Sequence, residues 1–487
     1  MHKKIMVQGT GSSVGKTLIV AGLCRIFAQD GYKVSPFKSQ NMALNSFVDI
    51  DGLEMSRGTV VQAEAAYQIP RAFMNPILLK PNSVNNSQLI INGVAKSNLN
   101  AKAYFSKSKE LKKIAKESYK YIEENFDICV LEGAGSPAEI NLREYDLVNM
   151  GMAEQVNAPV ILVGNIDMGG VFASLYGTVM LLEKEDRERI KGIIINKFRG
   201  DESLLKPAID SLNKKFKEAG LDIKFLGTVP YENFEIEEED SLSTIERKYE
   251  ANKKYIDISI IKTKKMSNFT DFHIFKQYDD VRVKYVKNKE ELGQEDIIIL
   301  PGSKNTITDL EDLKERGIFE KIKILKEKGI IIIGICGGLQ MLGKRILDPL
   351  KLESNIVETK GFNFFEYETS FGELKKTVQV EKIVDVEEGI LKQMNGLKIS
   401  GYEIHQGIST IEKAIVCKEN VFASYIHGIF DNSEFTNKFL NTIREKKNMP
   451  IPEKIKSFSE FKEEQYNKLA DLLRKSLDIK EIYKILD

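Results

Sequence analysis

A chain of 487 residues is too long for a single hydrophobic core, so two or more domains are expected. Its 71 Lys and Arg are matched by 71 Asp and Glu, and a formal net charge of zero argues against a nucleic-acid binder held by bulk electrostatics. The hydrophobic share of 42% contains no run long enough for a membrane span, and the four scattered cysteines (Cys24, Cys129, Cys336, Cys417) have no metal-ligand spacing, so they read as reduced thiols of a cytoplasmic protein.

The N-terminal residues pass into a predicted strand, Ile5–Gln8, without the apolar core of a signal peptide. Next comes Gly9-Thr-Gly-Ser-Ser-Val-Gly15-Lys16-Thr17, with a helical pattern from Lys16 onward. Strand, glycine-rich turn and helix start are the context of a P-loop. Glycines let successive backbone N–H groups face phosphate oxygens, and the helix N-terminus adds its dipole. Thr10, Gly11, Ser12 and Gly15 are the candidate cradle, Lys16 the neutralising cation, and Thr17 the hydroxyl for Mg²⁺. Thr10 stands where the strict pattern has glycine.

Further strands are predicted at Lys33–Phe37, Asp127–Glu132, Val160–Val163, Gly192–Asn196 and Phe225–Val229, with an amphipathic helix over Lys109–Glu124. Short, β-branched runs alternating with helices imply a parallel sheet covered on both faces. Glu132 ends a buried strand, where a carboxylate needs a metal or a donor, so it is the candidate metal ligand. The loop after the second strand carries Lys38, Gln40, Asn41 and Asn45, where a parallel sheet places its ligands.

A dense acidic run, Glu235–Asp240, and mixed charge to Lys254 mark a boundary. The domains read as 1–232, a charged linker 233–252, 253–450 and a helical extension 451–487. Beyond the linker, strands are predicted at Ile256–Ile261, Val281–Val286, Ile297–Leu300 and Ile330–Ile335, then Thr377–Val384, Leu397–His405 and Val421–Ile426. The Ile330–Ile335 strand runs into Cys336-Gly337-Gly338, a sharp turn before a helix. A thiol on such an elbow is exposed to attack chemistry, and nearby backbone N–H groups favour the thiolate. Gly302, in Pro301-Gly-Ser, and Gly337 are candidate oxyanion donors. His427, in Tyr425-Ile-His-Gly428, is the candidate base and acid. His405 is either a substrate contact or a structural histidine. The last 30 residues read as one or two helices.

Taken together, these residues resemble the cobyric acid synthases, glutamine-dependent amidases of adenosylcobalamin biosynthesis. The resemblance spans nearly the whole chain. It extends through Pro36-Phe-Lys38-Ser-Gln40-Asn41-Met-Ala-Leu-Asn45-Ser, Met74-Asn-Pro-Ile-Leu-Leu-Lys80-Pro, Glu132-Gly-Ala-Gly-Ser-Pro-Ala-Glu139-Ile-Asn141, Asn165-Ile-Asp-Met-Gly-Gly170, Ile195-Asn196-Lys-Phe-Arg-Gly-Asp201 and Ser267-Asn-Phe-Thr-Asp271-Phe. It implies an α/β fold of two domains, each a mostly parallel sheet with flanking helices. The first is P-loop NTPase-like, of the dethiobiotin-synthetase type, and the second is class I glutamine amidotransferase-like. It further implies that Asn196 reads adenine, Lys38 serves the acyl phosphate and Glu132 binds metal. Class I glutaminases usually carry His-x-Glu; Ile429 holds the glutamate's place here, so the orienter of His427 is left open.

The function this implies is ATP- and glutamine-dependent amidation of the b, d, e and g carboxylates of adenosylcobyrinic acid a,c-diamide. ATP, Mg²⁺ and glutamine are required, the partner is a corrinoid, neither nucleic acid nor membrane is involved, and the oligomeric state is open. The alternatives are a cobyrinic acid a,c-diamide synthase and, in another class, a non-catalytic partition-type ATPase switch. Partition proteins usually carry a second lysine in the loop, where this chain has Gly11. A plain dethiobiotin synthetase has no use for the second half.

Overall fold

The computed structural model describes residues 2–81, 86–237, 250, 253–453 and 456–487. The acidic run from residue 238 onward, and most of the expected linker, lie outside the described residues. The chain forms two compact units. One holds 1–43, 54–240 and 462–487; the other holds 44–53 and 241–461.

The first unit is built on a six-stranded parallel sheet. Its spatial order is Lys224–Pro230, Ile190–Phe198, Val160–Asn165, Lys3–Gly9, Ile128–Glu132 and Val34–Phe37. All six were expected. Their inner residues, among them Ile5, Val7, Val130, Leu131, Ile161 and Ile194, have no exposed surface. Helices cover both faces, so the strands are continuously apolar rather than alternating. The central strand delivers the glycine-rich loop, and its neighbour delivers Glu132 from its C-terminal end. The expected helix over 109–124 spans Ser108–Asn125 and buries Leu111, Ala115, Tyr119 and Ile122. A smaller four-stranded sheet, Gln40–Met42, Ile77–Pro81, Asn86–Ile91 and Val94–Asn100, was not expected.

The second unit carries another six-stranded sheet, ordered Val281–Val286, Ile256–Ile261, Ile297–Leu300, Ile331–Ile335, Val421–Ser424 and Ile415–Lys418. All its pairings are parallel except the last, a hairpin. A long antiparallel pair, Glu368–Ile383 with Lys398–Ser409, forms part of a separate sheet. The fold class is therefore the expected one: two α/β units, each on a mostly parallel sheet.

Two stretches depart from the boundaries read from composition. Residues 44–53 group with the second unit, although they sit inside the expected first domain. Residues 462–487 group with the first, although they follow the second domain. The second departure has a packing cause. Tyr466, Leu469, Ala470, Leu473 and Leu477 form a stripe buried in the same core as Ile19, Val20 and Leu23. At Gly22 the helices approach so closely that a Cβ would lie 2.3 Å from Leu473 Cδ1.

Candidate active sites

In the first unit the loop after Lys3–Gly9 turns through Ser13 and Gly15, both at positive φ (57° and 96°), into the Lys16–Gln29 helix. A Cβ on Gly15 would lie 2.2 Å from Asn196 Nδ2, so the position needs glycine on steric grounds as well. Asn196, expected to read adenine, donates its Nδ2 to Val14 O at 2.8 Å and braces the loop. Lys16 is buried, and its Nζ donates to Gly11 O and Gly135 O.

Glu132 is 3% exposed and gathers three partners. Thr17 Oγ1 donates to its Oε1 at 2.9 Å, Lys38 Nζ reaches the same oxygen at 3.3 Å, and Gln62 Nε2 donates to Oε2 at 2.5 Å. The expected metal pair, Thr17 and Glu132, is thus together, with Lys38 beside it. Gln62 Oε1 is buried without a partner among the described residues. A carboxylate, a hydroxyl and an orphaned amide oxygen are hard oxygen donors, and they fit Mg²⁺ that shares its shell with nucleotide phosphates and water. Gln62 was not foreseen in this role.

A cavity of about 1180 Å³ opens beside the loop. Thr10, Gly11 and Ser12 line it, together with Gln40, Gly135, Tyr104, Phe105, Arg143 and Tyr145. Lys38 pairs with Glu132, whereas Asn45 groups with the second unit, where its Oδ1 accepts the Phe269 N–H.

In the second unit, Cys336 follows the Ile331–Ile335 strand at φ 52°, ψ −103°, a strained conformation for a residue with a Cβ. This is the expected elbow. Gly337 follows directly, and a Cβ there would lie 2.8 Å from Ser303 N, so the elbow abuts the short Gly302–Ser303 strand. Asp309 accepts the Ser303 hydroxyl at 2.5 Å and fixes that segment. A Cβ on Gly302 would lie 3.3 Å from His427 Cε1. Cys336, His427, Gly302 and Gly337 therefore converge.

On one side the His427 imidazole feels the charge of Cys336, whose thiol lies 3.6 Å from Ile404 O. On the other, its Nδ1 meets Asp271 Oδ2 at 2.6 Å. Asp271 is the orienter that position 429 does not supply. Its second oxygen accepts the Gly428 N–H at 3.2 Å. Ile429 is buried in the unit's apolar core. Burial alone would lower the His427 pKa, but the charges of Asp271 and Cys336 outweigh it and push it up to about 10. Burial pushes the Cys24, Cys129 and Cys417 thiols up, which keeps them protonated. His405 resolves as structural: Nδ1 bonds Gly407 O at 2.7 Å, Nε2 meets Glu403 at 3.1 Å, and the ring stacks on Tyr425.

Sequence comparison matches each half of the chain to a family model. The CobQ/CobB/MinD/ParA nucleotide binding domain matches residues 5–243, and the CobB/CobQ-like glutamine amidotransferase domain matches 257–435. The cobyric acid synthase of Alkaliphilus metalliredigens is 47% identical over 99% of both chains. The chain belongs to the cobyric acid synthase family. Other cobyric acid synthases, from Caldanaerobacter subterraneus subsp. tengcongensis and Clostridium tetani, are 45% and 47% identical over at least 99% of each chain. Membership makes the protein an enzyme, a glutamine amidotransferase ligase, and its two matched domains fit ATP and glutamine as co-substrates. No helix among the described residues is long and apolar enough to cross a membrane.

Proposed function

We propose that this enzyme amidates the b, d, e and g side-chain carboxylates of adenosylcobyrinic acid a,c-diamide, using glutamine as nitrogen donor and ATP as activator. In the glutamine site, the Cys336 thiolate attacks the side-chain amide carbon. His427, held by Asp271, gives its proton to the departing ammonia. Gly302 and Gly337 backbone N–H groups steady the oxyanion. Water then releases glutamate from the thioester, with His427 taking the proton.

In the synthetase site, a corrinoid carboxylate attacks the ATP γ-phosphorus and ADP departs. Ammonia then attacks the acyl carbon, and phosphate leaves. The Thr10–Gly15 backbone and Lys16 cradle the phosphates, Lys38 balances charge at the acyl phosphate, and Asn196 serves the nucleotide. Thr17, Glu132 and Gln62 would hold Mg²⁺, which when bound neutralises charge on the phosphates.

The observation that carries the substrate class is the cavity beside the loop. Its volume suits a macrocycle far better than a small acid, and its wall includes the phosphate-loop residues Thr10–Ser12. Glutamine-dependent ADP release, measured with and without the a,c-diamide, tests the reading. Stimulation by the diamide is expected. Turnover of cobyrinic acid with the diamide ignored would assign the a,c-diamide synthase activity instead, and no response to any corrinoid would overturn the substrate class.

Two substitutions test the division of labour. Cys336→Ala should abolish glutamine-driven amidation and leave the ammonium-driven reaction intact. Lys16→Ala should remove both, because lost charge neutralisation raises the phosphoryl-transfer barrier by on the order of several kcal/mol. Ammonium turnover that survives Lys16→Ala, or fails in a folded Cys336→Ala protein, would contradict the two-site scheme.

A further inference from the structure

Residues 44–53 lie in the first half of the sequence yet belong to the second unit. Their contacts converge on the groups that hold His427. Asn45 and Ser46 are buried. Asn45 Oδ1 accepts the Phe269 N–H at 3.2 Å, and the Ser46 N–H donates to Asn268 Oδ1 at 3.1 Å. These bonds grip the start of the Phe269–Gln277 helical turn, which carries Asp271. Asn268 sits at φ 51°, and its carbonyl accepts the Asp271 N–H at 3.1 Å.

The same segment holds the other side of the imidazole. The Tyr402 hydroxyl donates to Ser46 O at 3.0 Å and accepts from Asn268 Nδ2 at 3.3 Å. The Tyr402 ring lies over the His427 ring, with centroids 5.3 Å apart and planes 20° from parallel. The two backbones also exchange hydrogen bonds, at 3.1 and 2.8 Å. Phe47 packs edge-on against Tyr402, and Val48 closes an apolar cluster with Tyr402 and Ile404. Ser46 is thus a shared anchor for the ring beneath His427 and for the turn that presents Asp271.

We infer that the 44–53 segment is a positioning element of the glutamine site, acting through Asn45 on the Asp271 turn and through Tyr402 on the His427 ring. The inference rests on the reading of Cys336 and His427 as the glutamine-hydrolysing pair. Its physical basis is that general acid–base transfer tolerates little displacement, so a carboxylate and an imidazole drawn from distant parts of a chain need an external brace. The bonds of Asn45 and Tyr402 described above lie within the second unit, so the brace is expected to bear on the glutamine half-reaction.

The test uses the full-length enzyme with Asn45→Ala, which removes the acceptor for Phe269, and Tyr402→Phe, which removes only the hydroxyl. Cys336→Ala is run in parallel. Both variants should lower kcat for glutamine hydrolysis by roughly tenfold to a hundredfold, leave KM for glutamine unchanged and shift the pH profile of that reaction. Ammonium-driven amidation should match the parent enzyme. An unchanged glutaminase kcat overturns the inference, and so does an equal fall with both nitrogen sources, which marks general loss of fold. If Cys336→Ala still consumes glutamine, the reading of the site itself fails. If Cys336→Ala is inactive with glutamine while Asn45→Ala and Tyr402→Phe are normal, only the brace is refuted.

Discussion

The Asp271 carboxylate meets the His427 imidazole at 2.6 Å with both groups almost wholly buried, so the charge on one sets the proton on the other. The His427 pKa rises from 6.5 to about 10, because the charges of Asp271 and Cys336 outweigh the opposing effect of burial. A folded-state pKa above the unfolded value means a stabilising contribution that is complete below about 6.5 and is lost as pH climbs through about 10. Asp271→Asn should therefore lower the melting temperature at neutral pH and flatten the loss of stability between those limits. Thermal melts across that range check it, and an unchanged alkaline slope would refute the pairing. The same variant should cut glutamine hydrolysis by roughly 10²- to 10⁴-fold while sparing the ammonium reaction. Ile429→Glu would not supply a better orienter. Position 429 lies in the apolar core, so the new carboxylate should destabilise the fold by about 3 kcal/mol or more, read from denaturant midpoints. Cys336, His427 and the glycines were legible because each sits in a local pattern. Asp271 was visible only as part of a resembling stretch. It stands 156 residues from His427, a distance at which spacing carries no trace of contact.

At the level of elements, the strands of both parallel sheets were legible because burial on two faces leaves uninterrupted β-branched runs. The small sheet that includes Val94–Asn100 was not, because its strands are short or polar; Val94, Lys96, Ser97, Asn98 and Asn100 are exposed. The C-terminal helix was legible as a helix, but an amphipathic stripe does not state which core receives it. Gly22 records that docking. A Cβ there would stand 2.3 Å from Leu473 Cδ1 and 3.2 Å from Leu469 Cγ. Gly22→Ala should cost about 1–3 kcal/mol from overpacking, despite the better helix propensity of alanine. In a Leu473→Ala background the same change should cost much less, since the cavity left by Leu473 accepts the methyl group. Urea unfolding of the four proteins in the cycle measures this coupling. Strictly additive costs would show that the two positions do not meet.

At the level of the whole molecule, one phosphate-binding loop has to serve four carboxylates of the proposed substrate. The loop is fixed: Gly15 is pressed against Asn196, Lys16 is anchored on two carbonyls, and Glu132 is tied to Thr17, Lys38 and Gln62. The γ-phosphoryl group is therefore delivered to one place, and a different edge of the corrin ring has to face it in each round. A rigid macrocycle seated in the cavity beside Thr10–Ser12 cannot turn in place without breaking most of its contacts. It has to leave and rebind between rounds. Partly amidated corrinoids should accordingly accumulate free in solution early in the reaction, in an order set by the relative affinity of each presentation. Mass spectrometry of the filtrate during turnover would detect them, and a chase with excess unlabelled a,c-diamide should trap labelled intermediates before completion. Fully amidated product released from the first turnovers onward, with no free intermediate and no effect of the chase, would mean that the ring reorients within the site and that the rigid-loop account of the sequence of amidations is wrong.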